Sequence, residues 1–206
     1  MSCTRQYDSL AGKHAMQPGG KALYSRGTLV AAAGLLLASA MLLLLEGRPG
    51  WCKYGFGLWS ATWTRCTSQQ FLDPYSLTHV LHGIIFFWLL QPFERRLSLR
   101  WRLIAALAIE IGWELLENSP FVIQRYRQDT ASLDYTGDSI VNSFGDMLST
   151  IVGFVFASCV SWKVALAFFV AVELGLLLLV RDNLTLNVVM LFFPLESLKE
   201  WQLHGW

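Results

Sequence analysis

Long apolar blocks separated by short polar punctuation dominate this chain, and the blocks have membrane-crossing length. The first, Thr28 to Leu45, is an Ala/Leu run without an ionisable side chain. Others run from about Ser76 to Phe93, Leu103 to Asn118, Asp138 to Ser161 and Val164 to Val180. A helix crosses a hydrocarbon core about 30 Å thick in roughly 20 residues. The pattern therefore predicts an all-α fold, a polytopic transmembrane helix bundle of five or six spans. The sixth segment, 186–198, opens with an apolar stretch that is short for a crossing. It reads as a broken span or a helix lying in the interface.

The punctuation is informative. The loop from Glu46 to Tyr75 is rich in Gly and Trp, and Trp51, Trp59 and Trp63 suit the membrane–water interface. The link from Glu94 to Arg102 carries four arginines, and Trp162-Lys163 reads as a tight turn. A polar stretch from Ser119 to Gly137 precedes the fourth span. Gly137 reads as a turn residue there, with Asp138 as the N-cap of the helix. Residues 1–27 form a basic tail with Arg5, Lys13, Lys21 and Arg26. The apolar run behind it is long, and no small-residue cleavage site follows it, so the pair reads as an uncleaved signal anchor. Residues 28–206 then form one transmembrane domain without internal repeats.

Composition sharpens the picture. The chain is 54% apolar and 15% charged, whereas a soluble domain carries about a quarter charged residues. A net charge of +1 without a clustered basic face excludes nucleic acid as a partner. The positive-inside rule puts the basic tail and the Arg-rich link in the cytoplasm, and the 46–75 and 119–137 segments outside. Cys3 and Cys159 mark no site. Cys52 and Cys66 flank one loop and can pair if that loop faces an oxidising compartment.

Ionisable residues inside spans cost about 2.5–3.5 kcal/mol each on insertion scales and are functional candidates by default. His79 and His82 lie at i, i+3 on the second span. Glu110, Glu114 and Glu117 lie at i, i+4, i+7 on the third, and Asp138, Asn142 and Asp146 at i, i+4, i+8 on the fourth. Glu173 lies in the outer half of the fifth span, capped outside by Arg181, Asp182 and Asn183. All these stripes fall at the outer end, which predicts one shared polar cavity opening outward. Imidazole with carboxylate suits Zn²⁺, Mn²⁺ or Fe. The best ligand set is His79, His82, Glu114 and Glu117, with Asp138, Asp146 and Asn142 as catalytic or supporting groups. The same stripes can instead hydrogen-bond the helices together, or form a metal-free proton relay. Arg125, Arg127 and Arg181 are candidate anion-binding residues for a lipid headgroup or lipid-linked phosphate. Pairing with Asp129, Asp134 and Asp182 is the structural alternative.

PYSLTHVLHG (Pro74 to Gly83), WRLIAALAIEIGWELLENSPFVIQRYR (Trp101 to Arg127), SLDYTGDSIVNSFGDML (Ser132 to Leu148) and RDNLTLNVVMLFFPLE (Arg181 to Glu196) resemble the UPF0314 (DUF2585) family of bacterial inner-membrane proteins. That resemblance spans about Gly50 to Trp201 and implies a location and a membrane architecture, with no activity to transfer. A looser likeness to VanZ-type membrane proteins rests on a His, a Glu and an Asp–Asn pair on successive spans. His79 or His82, Glu114 or Glu117, and Asp138 with Asn142 match in kind.

Three functions follow as expectations. The first is a metal-dependent hydrolase or transferase acting on a membrane lipid or lipid-linked phosphate at the periplasmic face. The second is a non-catalytic assembly or envelope factor, as a homo-oligomer or with a membrane partner protein. The third is proton or solute transport, disfavoured by the apolar inner halves of the spans.

Overall fold

A computed structural model of the protein describes residues 25–204. The basic tail to residue 24 and Cys3 lie outside the described residues. The described chain is all-helical, with eight α-helices, one 3-10 turn and a single isolated bridge between Trp59 and Leu72. The helices are α1 (Arg26–Leu45), α2 (Ser76–Leu89), α3 (Leu99–Glu117), α4 (Pro120–Asp129), α5 (Ile140–Cys159), α6 (Trp162–Val180), α7 (Leu184–Phe192) and α8 (Glu196–Leu203).

Among these, α1, α5 and α6 are long and apolar enough to cross a membrane, which points to a membrane protein. The expectation of five or six spans exceeds this. α2 has only 14 residues before the chain tightens into the 3-10 turn Gln91–Phe93. α3 is 19 residues long but carries Arg100, Arg102, Glu110, Glu114 and Glu117. The sixth segment is divided between α7 and α8, with 9 and 8 residues, each shorter than the roughly 20 needed for a crossing. The outer faces of α1 and α6 keep large apolar side chains uncovered, with Leu37 70% and Leu178 81% exposed. Apolar surface on that scale requires a hydrocarbon or protein partner.

Helix starts follow local chemistry. Ser25, Ser139, Ser161 and Asn183 cap α1, α5, α6 and α7 by accepting from the N–H of the third residue on. The cap of α5 is thus Ser139 rather than Asp138, and Trp162-Lys163 is the first turn of α6 rather than a separate turn. Ser119 caps α4, with Pro120 at the first helical position, so the expected polar loop contains a helix. Gly137 does sit at a turn, with φ +84°.

Helices α2 and α5 form the centre, and their backbones touch. A Cβ on Gly83 would lie 2.1 Å from the Thr150 carbonyl oxygen, and one on Gly153 would lie 1.9 Å from that of Val80. Small residues permit this approach, which is a common way to pack helices in membranes. The Thr150 hydroxyl then donates to the His79 carbonyl at 3.0 Å. Below the crossing, Leu81, Ile84, Phe87, Ala106, Phe154 and Ala165 make an apolar core. Phe87 and Phe154 meet edge to face at 5.3 Å. Helix α1 leans on α3 and α5 through Leu43, Leu107, Ile111 and Met147.

The 46–75 loop closes one end. Cys52 and Cys66 are disulfide-bonded. The loop docks on the start of α5, where Ile140 and Val141 donate their N–H groups to the carbonyls of Pro49 and Gly50 at 2.8 and 3.1 Å. These are N–H groups a helix start otherwise leaves without partners. Asn142 Nδ2 donates to the Gln70 carbonyl at 2.8 Å, and the Arg48 guanidinium donates to the carbonyls of Asp138 and Thr136 at 2.9 and 2.6 Å. Loop and bundle are therefore one unit at this end.

Candidate functional site

The α2–α5 crossing sets His79 one turn inside α2, facing α3 and α5 together. Its Nδ1 is hydrogen-bonded to Glu110 Oε1, and Glu114 Oε1 lies 3.5 Å from the same nitrogen. The other nitrogen, Nε2, faces Asp146 Oδ2 at 3.9 Å. His82 Nδ1 pairs with Glu110 Oε2 at 3.1 Å, and the two imidazoles meet edge to face at 4.9 Å. Two groups of potential ligand atoms result, His79–His82–Glu110 and His79–Glu114–Asp146, with all atoms of each within 4.8 Å of one another. Glu110 and Glu114 are completely buried.

The second group is chemically incomplete. Both Glu114 carboxylate oxygens and Asp146 Oδ1 are buried without a hydrogen-bond partner. A buried carboxylate oxygen without a donor carries its full desolvation cost, about 1–3 kcal/mol or more when charged. A cation or a bound proton would remove that cost. Three ligands with room for a fourth is also the open arrangement of catalytic metal sites.

Above this floor lies a cavity of about 870 Å³ that reaches up to the disulfide-closed loop. His79, His82, Asp146, Asn142, Asp138 and Glu117 line it, with Trp113, Tyr126 and Tyr135 from the walls. Asp138 sits in a separate niche. Tyr135 donates its hydroxyl to both carboxylate oxygens at 3.0 and 3.1 Å, and Asn118 Nδ2 donates to Oδ2 at 3.0 Å. Burial pushes the Asp138 carboxyl up to about 6, with the Tyr135 and Asn118 hydrogen bonds pulling the other way. Burial and then the neighbouring acids, Glu117 for Tyr126 and Asp138 for Tyr135, hold both tyrosine hydroxyls well above their usual range. Both therefore stay protonated donors.

The structure brings together most of the expected stripe, in a different register. Glu110, rather than Glu117, is the partner of the histidine pair. Glu117 lies outside both ligand groups and faces the cavity beside Tyr126. Asp146 belongs to a ligand group, and Asn142 is engaged in holding the Gln70 carbonyl. Glu173 turns away from the cavity, accepting from Leu184 N at 2.9 Å, Thr185 N at 3.1 Å and the Thr185 hydroxyl at the start of α7. None of the three candidate anion-binding arginines lines the cavity. Arg125 pairs with Asp129 at 2.6 Å and donates to the Leu191 carbonyl. Arg181 donates to the Trp201 carbonyl and stacks on its ring. Arg127 is exposed on α4. Sequence reasoning missed Asn118, although it follows Glu110 by two helical turns and extends the same stripe. It also missed Lys53 and Arg65 in the cavity wall.

A match to the family described as "Protein of unknown function (DUF2585)" covers residues 43–204, which is most of the chain and includes every residue of the site. The chain belongs to the DUF2585 family. Its relatives carry the name UPF0314 protein. The one from Brucella anthropi is 44% identical over 161 residues, covering 78% of this chain and 82% of the relative. That from Rhizobium etli is 48% identical over 162 residues, covering 77% and 82%. That from Novosphingobium aromaticivorans is 41% identical over 194 residues, covering 91% and 98%. No solved structure matches this DUF2585 chain.

Proposed function

We propose that this DUF2585 protein is a metal-dependent membrane hydrolase or transferase. It acts on a membrane lipid or lipid-linked phosphate at the periplasmic face of the bacterial inner membrane. One observation carries the reading: partnerless buried oxygens of Glu114 and Asp146 converge with His79 beneath a large cavity. His79, Glu114 and Asp146 would hold the metal, with Glu110 fixing the tautomer of His79 through Nδ1, as metal-ligating histidines commonly require. Zn²⁺, Mn²⁺ or Fe bound there would supply Lewis acidity toward a phosphoryl oxygen and a bound water. Asp138, with its carboxyl near 6, exchanges protons with the cavity. The Cys52–Cys66 disulfide supports an oxidising side for the loop, in keeping with a cytoplasmic N-terminus by the positive-inside rule.

The test is elemental analysis of detergent-purified protein beside a His79→Ala/His82→Ala variant of equal monodispersity. Near-stoichiometric metal in the parent and none in the variant is expected. If neither binds Zn²⁺, Mn²⁺ or Fe²⁺ on reconstitution, the metal reading fails. The His79–Glu110–His82 hydrogen bonds would then stand as a structural network, as in a non-catalytic assembly factor.

A further inference from the structure

The cavity is lined by four acids, Glu117, Asp134, Asp138 and Asp146, and among its described lining residues the lysine and arginine are Lys53 and Arg65. These two flank the disulfide, Lys53 directly after Cys52 and Arg65 directly before Cys66, so the bridge that brings the half-cystine Cα atoms to 5.6 Å brings their backbones to the same end of the loop. Both lean on one ring, with Lys53 Nζ 5.1 Å and Arg65 Cζ 5.6 Å from the Tyr54 centroid. Both are exposed, and among the described residues neither has a carboxylate within 4.0 Å. Two like charges gathered without a counter-charge repel each other, and an anion between them reverses that. An arginine fork beside a lysine point charge suits phosphate. Trp51 and Trp63 line the same rim, and indoles favour headgroup depth.

We propose that Lys53 and Arg65 form a phosphate clamp at the cavity mouth, held in register by the Cys52–Cys66 bridge. The clamp draws the phosphate of a lipid-linked substrate into the cavity mouth, above the His79 site. This rests on the cavity being the substrate site proposed above. It assigns the anion-binding role to the disulfide loop rather than to Arg125, Arg127 or Arg181.

The experiment measures binding of short-chain phosphatidic acid to the full-length oxidised protein in detergent, with diacylglycerol of the same chains as the uncharged control. Phosphatidic acid is expected to bind in preference to diacylglycerol. Lys53→Gln/Arg65→Gln should weaken it at least tenfold, Lys53→Arg should retain it, and Arg125→Gln/Arg127→Gln should leave it unchanged. Binding by the Lys53→Gln/Arg65→Gln variant equal to the parent overturns the clamp, as does equal binding of the two lipids. Inorganic phosphate competing as well as the lipid supports a clamp for free phosphate, and competition by the lipid alone supports one for a headgroup. Binding that persists in His79→Ala, even where no metal is found in the parent, keeps the clamp while the metal reading falls. The two failures are therefore separable.

Discussion

Replacing Gly153 with alanine should be among the most damaging single methyls added to this bundle, with Gly145, where the added carbon would lie 1.8 Å from the Phe71 carbonyl oxygen. At Gly153 the new carbon would lie 1.9 Å from the Val80 carbonyl oxygen, roughly 1.5 Å inside ordinary van der Waals contact. The obstacle is backbone within a helix, so no rotamer change relieves it. α2 must retreat from α5 as a body. Overpacking of a tight core costs about 1–3 kcal/mol and sometimes more. Losing the hydrogen bond from Thr150 to the His79 carbonyl adds about 1 kcal/mol. The sum, near 3 kcal/mol, corresponds to a fall in melting temperature of about 6–12 °C for a protein of this size. The assay is thermal unfolding in detergent, read by helical circular dichroism. Gly175→Ala on α6, where nothing lies within 4 Å of the added carbon, is the matched control and should change little or stabilise by up to about 1 kcal/mol. The same retreat moves His79 from Asp146, so any metal bound by the parent should be lost from Gly153→Ala. A Gly153→Ala protein as stable as the Gly175→Ala control would refute the backbone contact on which the site depends.

Asp138 should make stability fall with rising pH. Its carboxyl is raised from 3.8 to about 6 by burial, so the unfolded chain releases that proton first. Stability is therefore full below about pH 4 and is lost progressively up to about pH 6, by about 3 kcal/mol at most. Melting temperatures across that window should decline in the parent and stay flatter in Asp138→Asn; parallel curves would contradict the assignment. Cys52→Ser/Cys66→Ser opens a link between residues 14 apart, which should cost about 3 kcal/mol and weaken phosphatidic acid binding as it frees Lys53 from Arg65. An unchanged melting temperature with unchanged lipid binding would show that the loop is held by its contacts with α5 alone.

Much of the fold was legible in the residues themselves. Apolar runs of fixed length gave α1, α5 and α6 because a helix must reach about 20 residues to cross a bilayer. Sequence reasoning misses the serines that cap these starts and places the α5 cap one residue early at Asp138, although a side-chain oxygen that satisfies the first free N–H groups is a local signal. Helical period put Glu110, Glu114 and Glu117 on one face and His79 with His82 on another. Three of the four stripes do meet at one end of the bundle, since spans of similar length that enter together align their polar ends.

What the period could not supply was how far each helix slides and rotates against its neighbour. The stripe on α3 extends seven residues, about 10 Å along the axis, so only part of it can meet the histidines at one depth. That choice is made by the Gly83 and Gly153 backbone contacts, which set α2 deep enough for Glu110 and Glu114 rather than Glu117. Glu173 left the cavity because the start of α7 offers it three donors. The Lys53–Arg65 pairing joins residues twelve apart with no periodic relation, brought together by a disulfide and a loop docked on α5. Local sequence fixes which groups share a helix face, and tertiary packing alone decides which faces are close enough to act together.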